Sequence, residues 1–258
     1  TILNEKLIPE LQNENIRFIR RGDWTPEQKK WVKEYFDEQI QPVISPIGLD
    51  PAHPFPRLVN KSLNFIVDLE GKDAFGRNTG LALIPAPRSL PRINRLPDEL
   101  CDGGDNYVFL SSMIHQFADE LFPGMKVKGC YQFRLTRNAD LTFDKDDVAD
   151  LASALQGELH ARHYGDAVRL EVADNCPEEL WQFLLAKFNL TEQDIYRVNG
   201  LVNVHRLMAV AVGADRPELR YKTFTPSIPK GLKGNKDYFD AIRKSDQLLL
   251  HPYQSFTP

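Results

Sequence analysis

Hydrophobic positions along the chain follow two periods, and the switches between them mark out the elements. Ile2, Leu3, Leu7, Ile8 and Leu11 recur at helical spacing ahead of Asn13-Glu14-Asn15, which predicts a short helix over 2–14. A longer helix is predicted over 26–41. Its apolar stripe is Trp31, Val32, Tyr35, Phe36 and Ile40, Thr25 with Gln28 makes a capping box, and Pro26 occupies the first helical position. The period then falls to two. Leu63, Phe65, Val67 and Leu69 alternate with Ser62, Asn64 and Asp68, predicting a strand with one buried face. Residues 71–80 carry three glycines and an asparagine and read as a hairpin loop, with a returning strand at 81–84 closed by Pro85 and Pro87.

Further strands are predicted near 91–96 and 107–110, over 126–137, and around Val168, Leu170 and Val172. Met113, Ile114, Phe117, Ala118 and Leu121 predict a helix ended by Pro123-Gly124. Val148, Leu151, Ala152, Leu155 and Leu159 predict another, and Leu180, Trp181, Leu184, Leu185 and Phe188 a further one. Strands and helices alternate without long βαβ regularity. This favours an α+β fold, a mixed β-sheet layer packed with helices, over a doubly wound sheet. Across 215–236, Pro217, Pro226, Pro229, Gly231 and Gly234 signal an extended connecting segment. A short helix over 238–243 and a buried strand over 247–250 follow, and the pattern reads as interrupted at both ends.

With 258 residues and 42% hydrophobic content, the chain can bury a substantial core. The formal net charge of −4 argues against a polyanion held over the whole surface, so phosphate binding would need a local basic cluster. No apolar run approaches the ~18–20 residues of a membrane span, and no charged-then-apolar leader opens the chain. The expectation is a soluble, non-exported polypeptide. Cys101, Cys130 and Cys176 are odd in number and lack CxxC spacing. They argue against a disulfide framework or zinc site, fit a reducing cytoplasm, and read as small apolar side chains.

Candidate chemistry is sparse. His160 and His163 stand i, i+3 at the end of a predicted helix with no third ligand at a recognisable spacing, and read as favouring the negative end of the helix dipole. His115 falls between core positions of a predicted helix and is expected half-buried; His205 stands alone. No GxSxG and no GxxxxGK[ST] occurs, and Gly103-Gly104 reads as an ordinary turn. Asp144, Asp146, Asp147 and Asp150 lack the glycine and distal glutamate of a calcium loop and read as carboxylates opening a helix. The strand from Cys130 to Arg137 says more. Tyr131, Phe133 and Leu135 share one face, and Gln132, Arg134 and Thr136 the other, followed by Arg137 and Asn138. Two readings stay open on pattern alone: planar donors for phosphate oxygens, or a solvated face with Arg134 paired to a nearby carboxylate.

Several segments, in order, resemble the polyphosphate kinase family. They are Asn13-Glu14-Asn15-Ile16-Arg17; Pro42-Val43-Ile44-Ser45-Pro46; Asp50-Pro51-Ala52-His53-Pro54-Phe55-Pro56; and Asn60-Lys61-Ser62-Leu63-Asn64. The strand Phe133-Arg134-Leu135-Thr136-Arg137-Asn138-Ala139-Asp140-Leu141 is similar to the family's signature strand, with Asn138 where Asp is more usual. Ala167-Val168-Arg169-Leu170-Glu171-Val172 and His251-Pro252-Tyr253-Gln254-Ser255-Phe256 complete the series. The resemblance implies that residues 1–14 are the last helix of an N-terminal helical domain, 15–235 the middle (head) domain, and 236–258 the start of a C-terminal catalytic domain.

It further implies a parent enzyme that transfers the terminal phosphate of ATP to polyphosphate, with Mg2+, through a phosphorylated histidine downstream of the HPYQSF segment. His251 does not match that position. Family members are cytoplasmic or membrane-associated homodimers or higher homo-oligomers. No nucleic-acid partner and no transmembrane segment are expected. The middle domain would contribute to dimerisation and to one wall of the polymer tunnel, which makes Arg134, Arg137, Arg57 and Lys61 candidates for polyphosphate contact. No catalytic residue, metal site or bound cofactor is expected in this chain itself. The competing readings are a free-standing polyanion-binding module and a small phosphohydrolase using His53 or His163.

Overall fold

The computed structural model describes residues 2–50, 52–72, 76, 80–138, 165–222, 224–233, 237–251 and 253–254. Its contacts divide into two compact units, Thr1–Gly213 and Ala214–Pro258. The helix predicted around Val148 to Leu159, His160, His163, the acidic group at 144–150 and most of the hairpin loop lie outside the described residues.

The first unit is α+β, built on a six-stranded sheet. Its strands are β2 (Ile47–Gly48), β3 (Leu63–Gly71), β4 (Leu81–Pro85), β7 (Met125–Arg137), β8 (Ala167–Ala173) and β9 (Ile195–Val198), in the order β2-β4-β3-β7-β8-β9. All neighbours are antiparallel except β8 and β9, which are parallel and joined through α4 (Glu178–Phe188). A smaller sheet, β1-β6-β5, comprises β1 (Ile16–Phe18), β5 (Ile93–Arg95) and β6 (Asp105–Phe109). There β1 runs parallel to β6, with Ile16 opposite Asp105. Gly104 is required at that junction, because a Cβ would collide with the backbone carbonyl of Asn15.

The amphipathic helix forms as its caps and stripe dictate. In α2 (Pro26–Tyr35), Thr25 Oγ1 accepts from the Gln28 N–H at 3.2 Å and Gln28 Oε1 accepts from the Thr25 N–H at 3.1 Å. The helix runs on through a π turn at Phe36–Ile40, so Val32, Phe36 and Ile40 are all buried against β3 and β4. The segment at 2–14 is helical too, as a π turn over Leu3–Leu7 followed by α1 (Ile8–Asn13).

Both faces of the six-stranded sheet are covered, which corrects the reading of β3 as a one-faced strand. Leu63, Phe65, Val67 and Leu69 join the core with α2, while Ile66, Leu83, Phe133, Leu135, Leu170 and Val172 face the core under α4. Buried Asn64 donates from Nδ2 to the Ser62 carbonyl at 3.0 Å, while its Oδ1 has no partner among the described residues. The helix predicted from Met113 begins earlier and ends sooner. The Leu110 N–H is held by the Arg92 carbonyl at 3.0 Å, so α3 (Leu110–Gln116) starts directly off β6, and Ala118–Leu121 is a separate tight turn.

The second unit carries α6 (Tyr238–Lys244), whose Asp237 side chain caps the Phe239 and Asp240 N–H groups. (The intervening α5, Met208–Gly213, closes the first unit.) The strand predicted at 247–250 does not form. Leu248 and Leu250 are 81% and 61% exposed, and the pairing described nearby is a single bridge between Ser227 and Gln254.

Candidate functional site

The proline-rich segment before β3 is shaped by Asp50. Its Oδ1 accepts from the Ala52 N–H at 2.9 Å, its carbonyl from the His53 N–H at 3.0 Å, and its Oδ2 lies 3.1 Å from His53 Nδ1. Phe55 then anchors the segment on α4, its ring 5.3 Å from Phe188 and 6.1 Å from Phe183, both edge-on. Two adjoining pockets share Phe55, Pro56 and Lys187. The larger, about 520 Å³, is walled by Ile47, Leu49, Leu81 and Phe183, with Asp50 and His53 also lining it. The smaller, about 190 Å³, brings together Arg57, Arg137 and Lys187, with Asp166 the one carboxylate among its described lining residues.

Arg137 is the last residue of β7, just past a register shift between Thr136 and Arg137. Its N–H donates to Asn60 Oδ1 at 2.9 Å and its carbonyl accepts from Asn60 Nδ2 at 3.3 Å. The guanidinium reaches the Leu58 carbonyl (Nε, 3.1 Å) and the Gly165 carbonyl (Nη1, 2.9 Å). Arg137 therefore ties the proline-rich segment to the sheet while lining the pocket. Lys187 carries no distinguishing signal in the sequence. It stands exposed near the end of α4, its Nζ 5.4 Å from the Phe183 ring centre.

The other two candidates sit elsewhere. Arg134 is opposite Leu63 and Glu171 in the sheet register, on the face away from Phe55, and its Nη1 donates to Glu171 Oε2 at 2.6 Å. Arg169 shares that carboxylate at 3.3 Å and stacks on Tyr196, 3.7 Å from the ring centre. Lys61 is exposed in the turn into β3, with a left-handed backbone (φ 57°) whose N–H donates to the Leu135 carbonyl at 2.8 Å.

Burial favours the neutral forms of His115, Cys130 and Cys176. Burial, helped by the positive charge of Arg21, pulls His115 down to about 4, and its ring lies edge-on to Phe65. Burial pushes the thiols of Cys130 and Cys176 up to about 12 and about 11. Among the described residues no three His, Cys, Asp or Glu side chains converge as a metal ion would need. Among them too, no helix is long and apolar enough to cross a membrane.

Residues 27–210 match the family described as polyphosphate kinase middle domain. This chain belongs to the polyphosphate kinase family. It is 62% identical over 257 residues to the polyphosphate kinase of Pseudomonas syringae pv. tomato, covering all of this chain and 35% of that protein. The corresponding protein of Pseudomonas aeruginosa is 62% identical, with 37% of its length covered, and that of Neisseria gonorrhoeae 56%, with 38% covered. The chain thus spans little more than a third of these curated relatives. The crystal structure of polyphosphate kinase from Porphyromonas gingivalis has the same fold. It superposes with a TM-score of 0.72 over 98% of this chain and 36% of that one, at 24% identity. Within this middle domain, the basic pocket lies where β7 ends against the proline-rich segment.

Proposed function

We propose that this chain is the non-catalytic middle domain of an enzyme that transfers the terminal phosphate of ATP to polyphosphate, and that it helps line the path of the polymer. The observation that carries this reading is the convergence of Arg57, Arg137 and Lys187 on one pocket in a chain of this family. Guanidinium and ammonium groups at one surface suit a polyanion whose phosphates repeat along its length. Lys61 flanks the same loop, whereas Arg134 lies on the other sheet face with its charge balanced by Glu171. Residues 15–235 form the domain on this reading, with 1–14 and 236–258 belonging to its neighbours. Homodimerisation through this domain is part of the same proposal, and the parent would work with Mg2+ and ATP in the cytoplasm or at a membrane.

A phosphohydrolase reading centred on His53 has less support. His53 has Asp50 beside it, but both are exposed and the family match points to phosphoryl transfer in a larger protein. Incubation of the purified chain with ATP, magnesium and polyphosphate primer tests the non-catalytic assignment. No ADP should form; sustained ATP-dependent chain extension would overturn it. Light scattering at high concentration tests dimerisation, and a monomer mass there would count against it.

A further inference from the structure

We infer that a second cleft, on the sheet face carrying Leu63 and Gln132, binds a single phosphoryl oxyanion through Arg92 and Arg206, with Arg88 alongside. This inference does not depend on polymer contact at the Arg57 pocket. The cleft is about 30 Å³ and is lined by Arg92, Ser111, Gln132, Asn203 and Arg206 with apolar walls including Val202. No carboxylate is among its described lining residues.

The donors outnumber their partners. Arg92 Nη2 donates to the Ala86 carbonyl at 3.0 Å, but its Nε and Nη1 are shut off from solvent with nothing to donate to among the described residues. Arg88 donates to the Asn60 carbonyl, so it brings charge without relieving Arg92. Burial first, then the like charges of Arg206 and Arg88, lower the Arg92 pKa to about 10. Glu171, on the same sheet face, is already shared by Arg134 and Arg169, whose own Nε atoms are also buried without partners among the described residues.

A largely buried guanidinium close to other positive charges is costly, and an oxyanion in the cleft lowers that cost by neutralising the repulsion. Size selects the ligand. At roughly 10–15 Å³ per water the cleft holds about two waters, or one phosphoryl group, and no nucleoside. Free inorganic phosphate and the terminal phosphoryl of a polyphosphate chain share that chemistry.

The test is an NMR titration of the full chain, following the backbone amides of Ser111 and Asn203 at constant ionic strength. Inorganic phosphate is added first, and medium-chain polyphosphate in a second arm. Saturable shifts at both amides are expected, and exposed Arg206→Gln should weaken the affinity about tenfold or more, as loss of a charge-assisted bond does. Shifts with inorganic phosphate identify the free anion; shifts with polyphosphate alone identify the chain end. Arg57→Gln should leave this response intact, which separates this cleft from the Arg57 pocket. Shifts with neither ligand, or an Arg206→Gln protein that titrates like the wild type, would overturn the inference.

Discussion

Arg134 and Glu171 are both largely buried, with side chains 19% and 11% exposed, so their 2.6 Å pair is shielded from water more than a surface pair is. Arg134→Ala strands a carboxylate that Arg169 alone then has to balance. Urea denaturation should show a loss of about 2 kcal/mol, less than for a fully buried pair because Arg169 remains. Glu171→Ala in the Arg134→Ala background should recover part of it. An undiminished stability in the single variant would show that the pair contributes nothing. His115 makes a different prediction. Its folded pKa of about 4 lies below the ordinary 6.5. Between those values the unfolded chain binds a proton that the folded chain refuses. Stability is therefore unaffected above pH 6.5 and falls as pH drops toward 4, by at most about 3 kcal/mol. Thermal unfolding of His115→Gln across this window should show a flatter pH dependence than the wild type.

At the scale of elements, α2 is the best case of local signals agreeing. Cap, first-turn proline and apolar stripe all point to one helix, and Gln28 additionally donates to the Leu100 carbonyl at 3.0 Å. Thr25→Ala should cost about 1 kcal/mol in chemical denaturation; an unchanged midpoint would mean the cap is redundant with packing. That helix, β3, β4, β7, β8 and α4 were legible because their periodicity is local. The three-residue β1 was not: its partner β6 lies far along the chain and its pattern is too short to read. The two-faced burial of β3 is hidden by Asn64 and Ser62, polar residues linked locally by the Asn64 Nδ2 donor. Residues 247–250 misled in the opposite direction, since an apolar run makes a strand only when a partner strand is at hand, and among the described residues none is. The basic pocket shows the same limit. Arg57 and Arg137 were singled out separately, but their meeting depends on β3 pairing with β7 and on Asn60 clasping the end of β7. Lys187 and Arg92 gave no sequence signal at all, because a lone basic residue on a helix or beside a strand is ordinary until tertiary structure gives it neighbours.

For the whole molecule, the net charge of −4 sets the terms: polyanion binding has to be local and electrostatic, hence sensitive to salt. On the proposed function, the polymer is polyphosphate and its contact is the pocket of Arg57, Arg137 and Lys187. Calorimetric titration of the chain with medium-chain polyphosphate, at low and at moderate salt, measures that contact directly, with the double variant Arg57→Gln/Lys187→Gln alongside. The account predicts binding that weakens as salt rises and is markedly weaker in the double variant. Absence of binding at low salt, or equal affinity in wild type and variant, would contradict it and leave the domain as a scaffold away from the polymer.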